Sequence, residues 1–395
     1  LRRSSRRTEL RILATYRRNL GVEPWIITPY TSGAQDSTPY TSGALDSTSY
    51  TSGALDSTPY TSGALDSTPY TSGALDSTPY NSGALDYHHV PQSPDKGIPF
   101  AQAPLGRLRW AAPSELEGGG VWPGGRLDAT QHRPFCPQYD HSSQKVIGNE
   151  DCLYLNVYTP VLPGQSLERL PVLFFLHGGG YLRGAASSLG PQKLLKENVV
   201  LVTANYRLGA LGFLSTRDTT LPGNYGALDQ ITALRWVKAN IAQFGGDPNR
   251  VTLGGFSAGA SFVHLHMLSP LSRDLFSGAI MMSGAANCLW SVAEYPEYAA
   301  YDLARDLGCT TRSSYYLKDC LQDKTAQEII QAQTSRHRYV FWPMLYRPVV
   351  DAGLRESPFL PEPVEVLMSR PPPHPVPLLL GGVPDEGIFF ALSQW

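Results

Sequence analysis

Several things are scarce in this 395-residue chain, and each scarcity closes off a class of protein. Charge of one sign is nearly balanced, at a formal net of -2, so nothing in the composition argues for a nucleic acid or an anionic surface as partner. No apolar run is as long as a membrane span. Only five cysteines occur (Cys136, Cys152, Cys288, Cys309, Cys320), none in a Cys-x-x-Cys and none beside a histidine cluster, so no zinc or other metal site is expected. Their odd number leaves one thiol unpaired even if the rest pair. No Asn-x-Ser/Thr sequon is present. Apolar residues make up 42% of the chain, enough for one large α/β domain or two ordinary ones.

Residues 1–27 begin at Leu1 and carry seven arginines in the first twenty positions, with no apolar stretch of the kind a secretory signal needs. They read as a basic, unstructured end. Residues 28–87 are six near-identical copies of a ten-residue unit, Thr-Pro-Tyr-Thr-Ser-Gly-Ala-Leu-Asp-Ser. One leucine and one tyrosine per copy cannot build a core, so the repeat is expected to stay extended and disordered. A modified stalk and a simple tandem duplication both account for it.

From residue 88 to 395 the composition is that of a folded domain. Apolar runs at 171–176, 199–204, 251–253, 279–282 and 377–380 predict buried strands. Ile231, Leu234, Val237 and Ile241 share one face of a helix predicted over 228–244, and the Gly245-Gly246-Asp247-Pro248 run stops it. Further helices are predicted after Ser257 and over 299–307. Strands alternating with helices predict a mainly parallel sheet covered on both faces.

The chemistry concentrates in Gly255-Phe256-Ser257-Ala258-Gly259, a G-x-S-x-G run that follows a predicted strand. In this pattern a serine stands on a sharp strand-to-helix turn with its hydroxyl clear of the sheet. Such a nucleophile needs a base, an orienting acid and donors for an oxyanion. One donor is expected from the N–H of Ala258, and others from the glycines of His177-Gly178-Gly179-Gly180-Tyr181, which directly follows another predicted strand.

These motifs stand among longer strings: GIPFAQAPLGRLRW (97–110), EDCLYLNVYTP (150–160), NYRLGALGFLS (205–215), PGNYGALDQ (222–230) and ALRWVKANIAQFGGDPNRVT (233–252). Together they resemble the type-B carboxylesterase family, the carboxylesterase/cholinesterase branch of the α/β-hydrolases. The resemblance runs from about residue 97 to the end. It implies an α/β-hydrolase fold, a mostly parallel central sheet with helices on both faces, in a domain over 88–395 that lacks its C-terminal strands and helices. It implies a carboxylic ester hydrolase acting through an acyl-serine intermediate on a small-molecule ester, with no cofactor. Ser257 is the nucleophile, Gly179, Gly180 and Ala258 form the oxyanion hole, and Glu386 of the Asp385-Glu386-Gly387 turn is the acid. Disulfides Cys136–Cys152 and Cys309–Cys320 are implied, with Cys288 left free, and with them a secretory-pathway origin. So are buried ion pairs Arg109–Glu150 and Arg207–Asp229. Trp290 aligns with a position lining the acyl pocket; an ordinary core aromatic is the equal alternative.

Three departures from the family pattern matter. Residues 137–151 contain no tryptophan, which speaks against choline esters, since a quaternary ammonium is read by aromatic faces. Phe256 stands where relatives usually carry glutamate, which removes a polar partner of the catalytic imidazole. No histidine follows Glu386 before Trp395. The resulting expectation is a weak or inactive esterase, with a non-catalytic binding or adhesion protein, or a non-functional fragment, as alternatives.

Overall fold

In the computed structural model the described residues are 95–116, 127–161, 168–337 and 343–387. The basic start and the decapeptide repeat lie outside them, and the described residues all fall in one compact unit.

The apolar runs become strands. Five of them, β5 (Leu170–Leu176), β6 (Val200–Ala204), β7 (Gly246–Phe256), β8 (Gly278–Met282) and β9 (Leu378–Gly381), pair in parallel. Two further strands, β1 (Asp95–Pro99) and β4 (Tyr154–Tyr158), add antiparallel partners beyond β6. The order is β1-β4-β6-β5-β7-β8-β9. A separate two-stranded ribbon, β2 (Gln138–Asp140) with β3 (Lys145–Ile147), lies inside the loop closed by the Cys136–Cys152 disulfide. The second disulfide joins Cys309 to Cys320, and Cys288 is free. Both pairings are those the resemblance implied.

Among the described residues seven α-helices follow in chain order: α1 (Gly209–Phe213), α2 (Tyr225–Asn240), α3 (Ala258–Leu268), α4 (Pro296–Asp306), α5 (Ser314–Gln322), α6 (Ala326–Ser335) and α7 (Val364–Met368). The periodic face predicted for α2 is the buried one, with Ile231, Leu234 and Val237 inside the core. A 3-10 turn over Ile241–Phe244 extends the helix, and Gly245, at φ 78°, ends it as the sequence led one to expect. Helix α6 opens on a capping box in which Thr325 and Glu328 satisfy each other's backbone N–H groups.

The two faces of the sheet are covered unequally. Val172, Phe174, Val202, Leu253 and Ala279 belong to one large core that also takes buried hydrophobic residues from all seven helices. The register fixes which residues face the other way: Leu173 pairs with Thr252, Phe175 with Gly254, Gly254 with Ile280, and Ile280 with Leu379. On that side Tyr158, Leu195 and Leu201 form a second, much smaller cluster, with Leu195 supplied by a 3-10 helix at Leu194–Glu197.

Two arginines hold the segments that run over the sheet. Arg207 donates from Nε and Nη2 to the Asp229 carboxylate at 2.8 and 2.7 Å, and its Nη1 donates to the carbonyls of Arg109 and Ala111. Arg109 in turn grips Glu150 with two bonds, at 2.6 and 2.7 Å, and donates to the carbonyls of Leu321, Gln322 and Lys324 at the end of α5. Both ion pairs are the ones the resemblance implied. Asp229 is fully buried, so removing Arg207 strands its charge. Arg207→Ala is expected to cost about 3–5 kcal/mol, read as a lower midpoint in urea unfolding followed by circular dichroism. Reduction of the two disulfides is expected to cost about 3 kcal/mol for each loop closed, measured the same way with and without reductant.

Candidate active site

Strand β7 ends at Phe256 and helix α3 begins at Ala258, so a single residue, Ser257, makes the whole turn. It does so at φ 57° and ψ -121°, a region a non-glycine residue occupies only when its surroundings force it. The forcing contacts are visible. The Ser257 N–H donates to the Met282 carbonyl of β8 at 2.8 Å, and the Ser257 carbonyl accepts from Ser261 N–H at 3.0 Å as the first turn of α3. The helix also starts very close to β5: a Cβ added at Gly259 would lie 2.2 Å from the Leu176 carbonyl oxygen. Only glycine fits there.

The loop leaving β5 is shaped by the same crowding. Gly179, Gly180 and Tyr181 have successive positive φ angles of 112°, 61° and 64°. The Gly179 carbonyl accepts from Leu182 and Arg183, which tightens the turn. Among the described residues, the N–H groups of Gly179, Gly180 and Ala258 make no hydrogen bond within the chain. The loop runs close beside the serine, with room for no side chain between them: a Cβ at Gly178 would lie 3.1 Å from the Ser257 Cβ.

An aromatic stack supports the loop from below. Tyr206 lies parallel to the His177 ring at 4.3 Å and donates from its hydroxyl to the His177 carbonyl at 2.8 Å. Tyr181 packs edge-on against Phe262 of α3 at 5.2 Å and against Phe213 of α1 at 5.9 Å. The role of Tyr206 was not found from the sequence, although its motif, Asn205-Tyr206-Arg207-Leu208-Gly209, is among those quoted above. Trp290 sits half-buried against Tyr181, with ring centroids 6.1 Å apart. It packs against the core beside the glycine loop.

Glu386 lies at the same end of the sheet. Its turn follows β9, whose Gly381 carbonyl accepts from Ser283 N–H at 2.9 Å, next to the Met282 that anchors Ser257. The carboxylate is exposed and accepts from Val383 N–H at 3.0 Å. It is close enough to Cys288 to add to the effect of burial in raising that thiol's pKa.

Five of the seven histidines among the described residues make their contacts elsewhere in the fold. His264 Nδ1 accepts from Ala286 N–H, and burial lowers its pKa to about 4. His266 is held between Ser272 Oγ and Gln230 Oε1, each at 2.8 Å, and burial takes it to about 3. His177, under the glycine loop, is lowered to about 4 by burial. His374 binds the Phe276 carbonyl, and His132 meets Asn156. None bonds to Ser257. Among the described residues no group of three or more His, Cys, Asp or Glu is placed to hold a metal, and no helix is long and apolar enough to cross a membrane.

The chain is similar to known proteins over most of its length. Residues 95–395 match the model of the Carboxylesterase family, and the chain belongs to that family. Esterase FE4 of Myzus persicae is 42% identical over 301 residues, covering 75% of this chain and 52% of the relative. Juvenile hormone esterase of Tribolium castaneum is 43% identical over 309 residues, with 75% and 51% covered. Among solved structures, juvenile hormone esterase from Manduca sexta, with OTFP covalently attached, superposes with a TM-score of 0.63 at 33% identity, covering 70% of this chain and 53% of that one. The α/β-hydrolase fold is thereby shown. The chain spans about half the length of the relatives it matches.

The buried histidines carry a pH dependence. His177, His264 and His266 are held neutral in the fold by burial, below their ordinary value of 6.5. The unfolded chain takes up their protons first as pH falls, so their contribution is intact above 6.5 and is lost between 6.5 and about 4. Each is expected to remove about 1.4 kcal/mol per pH unit in that window. Urea midpoints measured at pH 7, 6 and 5 check this, and His266→Gln, which keeps a polar group between Ser272 and Gln230, is expected to flatten the decline.

Proposed function

We propose that the protein is a serine carboxylesterase, hydrolysing small carboxylic esters through an acyl-enzyme on Ser257. The observation that carries the reading is the strained Ser257 turn set against three unpartnered N–H groups, those of Gly179, Gly180 and Ala258. Strain of this kind persists only where the surroundings over-determine it, and it clusters at reactive residues.

In the proposed reaction Ser257 Oγ attacks the ester carbonyl carbon. Negative charge develops on the carbonyl oxygen, and the three N–H groups stabilise it where it forms, an arrangement in which one donor is worth roughly 10²–10³ in rate. Collapse expels the alcohol, and water then attacks the acyl-serine through the same intermediate geometry. A proton must leave Ser257 in the first step and reach the alcohol in the second. Each histidine described above is engaged elsewhere, so the reading gives this transfer to an imidazole that is not among them, oriented by the exposed carboxylate of Glu386. Trp290, beside Tyr181, is assigned to the wall of the acyl pocket.

The substrate is proposed to be an ester without a quaternary ammonium group. The Cys136–Cys152 loop offers no tryptophan for one and is filled by the β2–β3 ribbon. The two disulfides support synthesis through an oxidising compartment, hence the secretory pathway.

A fluorophosphonate probe followed by peptide mass spectrometry tests the reading. Phosphonylation is expected on the peptide carrying Ser257 and is expected to vanish in Ser257→Ala. Absence of label on the folded wild-type protein would reject the nucleophile assignment.

A further inference from the structure

Phe256 is an odd neighbour for a nucleophile. As the last residue of β7 it is 52% exposed, although it adjoins one of the most tightly packed turns in the molecule. Its ring does not float free. A Cβ placed on Gly178 would lie 3.3 Å from Phe256 Cδ1 and 2.6 Å from the Phe256 carbonyl oxygen. The ring thus lies along the first glycine of the loop that presents the unpartnered N–H groups of Gly179 and Gly180. The strand register gives it a companion. Phe256 pairs with Met282 on β8, and register partners in a parallel sheet project to the same face, so the two side chains stand next to each other. Met282 is 39% exposed. Its own partner on β9 is Gly381, which adds no side chain, and beyond it comes the turn that carries Glu386. From the glycine loop towards that turn the carboxyl ends of the strands therefore form an apolar ledge of one aromatic ring and one thioether. No charged side chain stands at these register positions.

We propose that Phe256, with Met282 beside it, is a specificity-determining residue: the ledge receives an uncharged hydrocarbon group of the ester whose carbonyl lies at Ser257. This rests on the reading of Ser257 as nucleophile and names the substrate class for it, esters with an aliphatic or aromatic substituent on the side of Gly178. Covering the ring with hydrocarbon removes apolar surface on both partners from water, and each methylene so buried is worth about a fourfold gain in affinity. A charged substituent at the same place would lose hydration without gaining a partner.

The test is a ¹⁹F NMR titration of the folded protein with n-alkyl trifluoromethyl ketones from butyl to decyl. Reversible binding is read from the exchange-averaged CF₃ signal, and addition of the serine oxygen to the carbonyl from a separate hemiketal resonance. The expected result is a dissociation constant that falls about fourfold per methylene over the first few carbons, a dependence largely lost in Phe256→Ala and mostly kept in Phe256→Leu. Phe256→Glu is expected to weaken binding progressively more as the ketone lengthens. An equal chain-length dependence in wild type, Phe256→Ala and Phe256→Glu would overturn the proposal, as would no binding by any ketone. The two readings fail separately. A hemiketal resonance without a Phe256-dependent slope rejects the ledge and keeps the nucleophile. The slope without any hemiketal keeps the ledge and rejects the nucleophile.

Discussion

The 2.8 Å hydrogen bond from the Ser257 amide to the Met282 carbonyl is the contact on which the site depends. It ties the one-residue turn after β7 to the last residue of β8, and it holds Ser257 in a conformation that its own backbone disfavours. Everything near it follows from that geometry. Helix α3 must start against the end of β5, which only a glycine at 259 allows. The loop after β5 must then bend away through three positive φ angles, and in doing so it turns its N–H groups out of the chain's own hydrogen bonding. The strained serine and the free donors are thus two results of one crowded junction.

The junction is kept in place from a distance by Arg207 and Arg109. Each fastens an irregular segment to regular structure: Arg207 joins the 109–111 stretch to α2, and Arg109 joins that stretch to the end of α5. Buried ion pairs contribute little net stability on average, because desolvation offsets attraction. Their effect here is better described as specification, since a guanidinium with this many fixed acceptors tolerates one arrangement of the loops around it. The β2–β3 ribbon is handled by other means, being closed at its base by the Cys136–Cys152 disulfide and turned by Asp140, which accepts from the N–H groups of Ser142 and Ser143.

Much of this was legible in the residues. Each of the five parallel strands overlaps one of the five apolar runs, but only β6 is buried along its whole length, as a central parallel strand is; β5 and β8 alternate, and β9, predicted as buried, is exposed from Leu379 to Gly381. Strand β7 is longer than its apolar run, since Gly246-Asp247-Pro248-Asn249-Arg250 has no strand pattern and joins the sheet through an irregular register with β5. The short strands β1 and β4 carry glycine, proline and asparagine and gave no periodic signal. Helix α6 went unread although Thr325 and Glu328 stand at capping-box spacing. At the site, the serine turn and the glycine loop were readable because each requires glycine at fixed positions. The direction of Phe256 was not. Its substitution is plain in the sequence, but its proximity to Gly178 and Met282 depends on the register of three strands, which no local pattern encodes.

The unequal covering of the sheet has a thermodynamic consequence. Along the thinly covered face Phe256, Met282 and Leu379 remain exposed, and Thr252 and Ile280 are only half-buried. Apolar surface already wet in the native state changes its hydration little when the chain unfolds, so this strip adds little to the heat capacity of unfolding. The stability of these residues therefore varies with temperature mainly through the helix-bearing face, and any molecule that dries the strip also sharpens the curvature of that dependence.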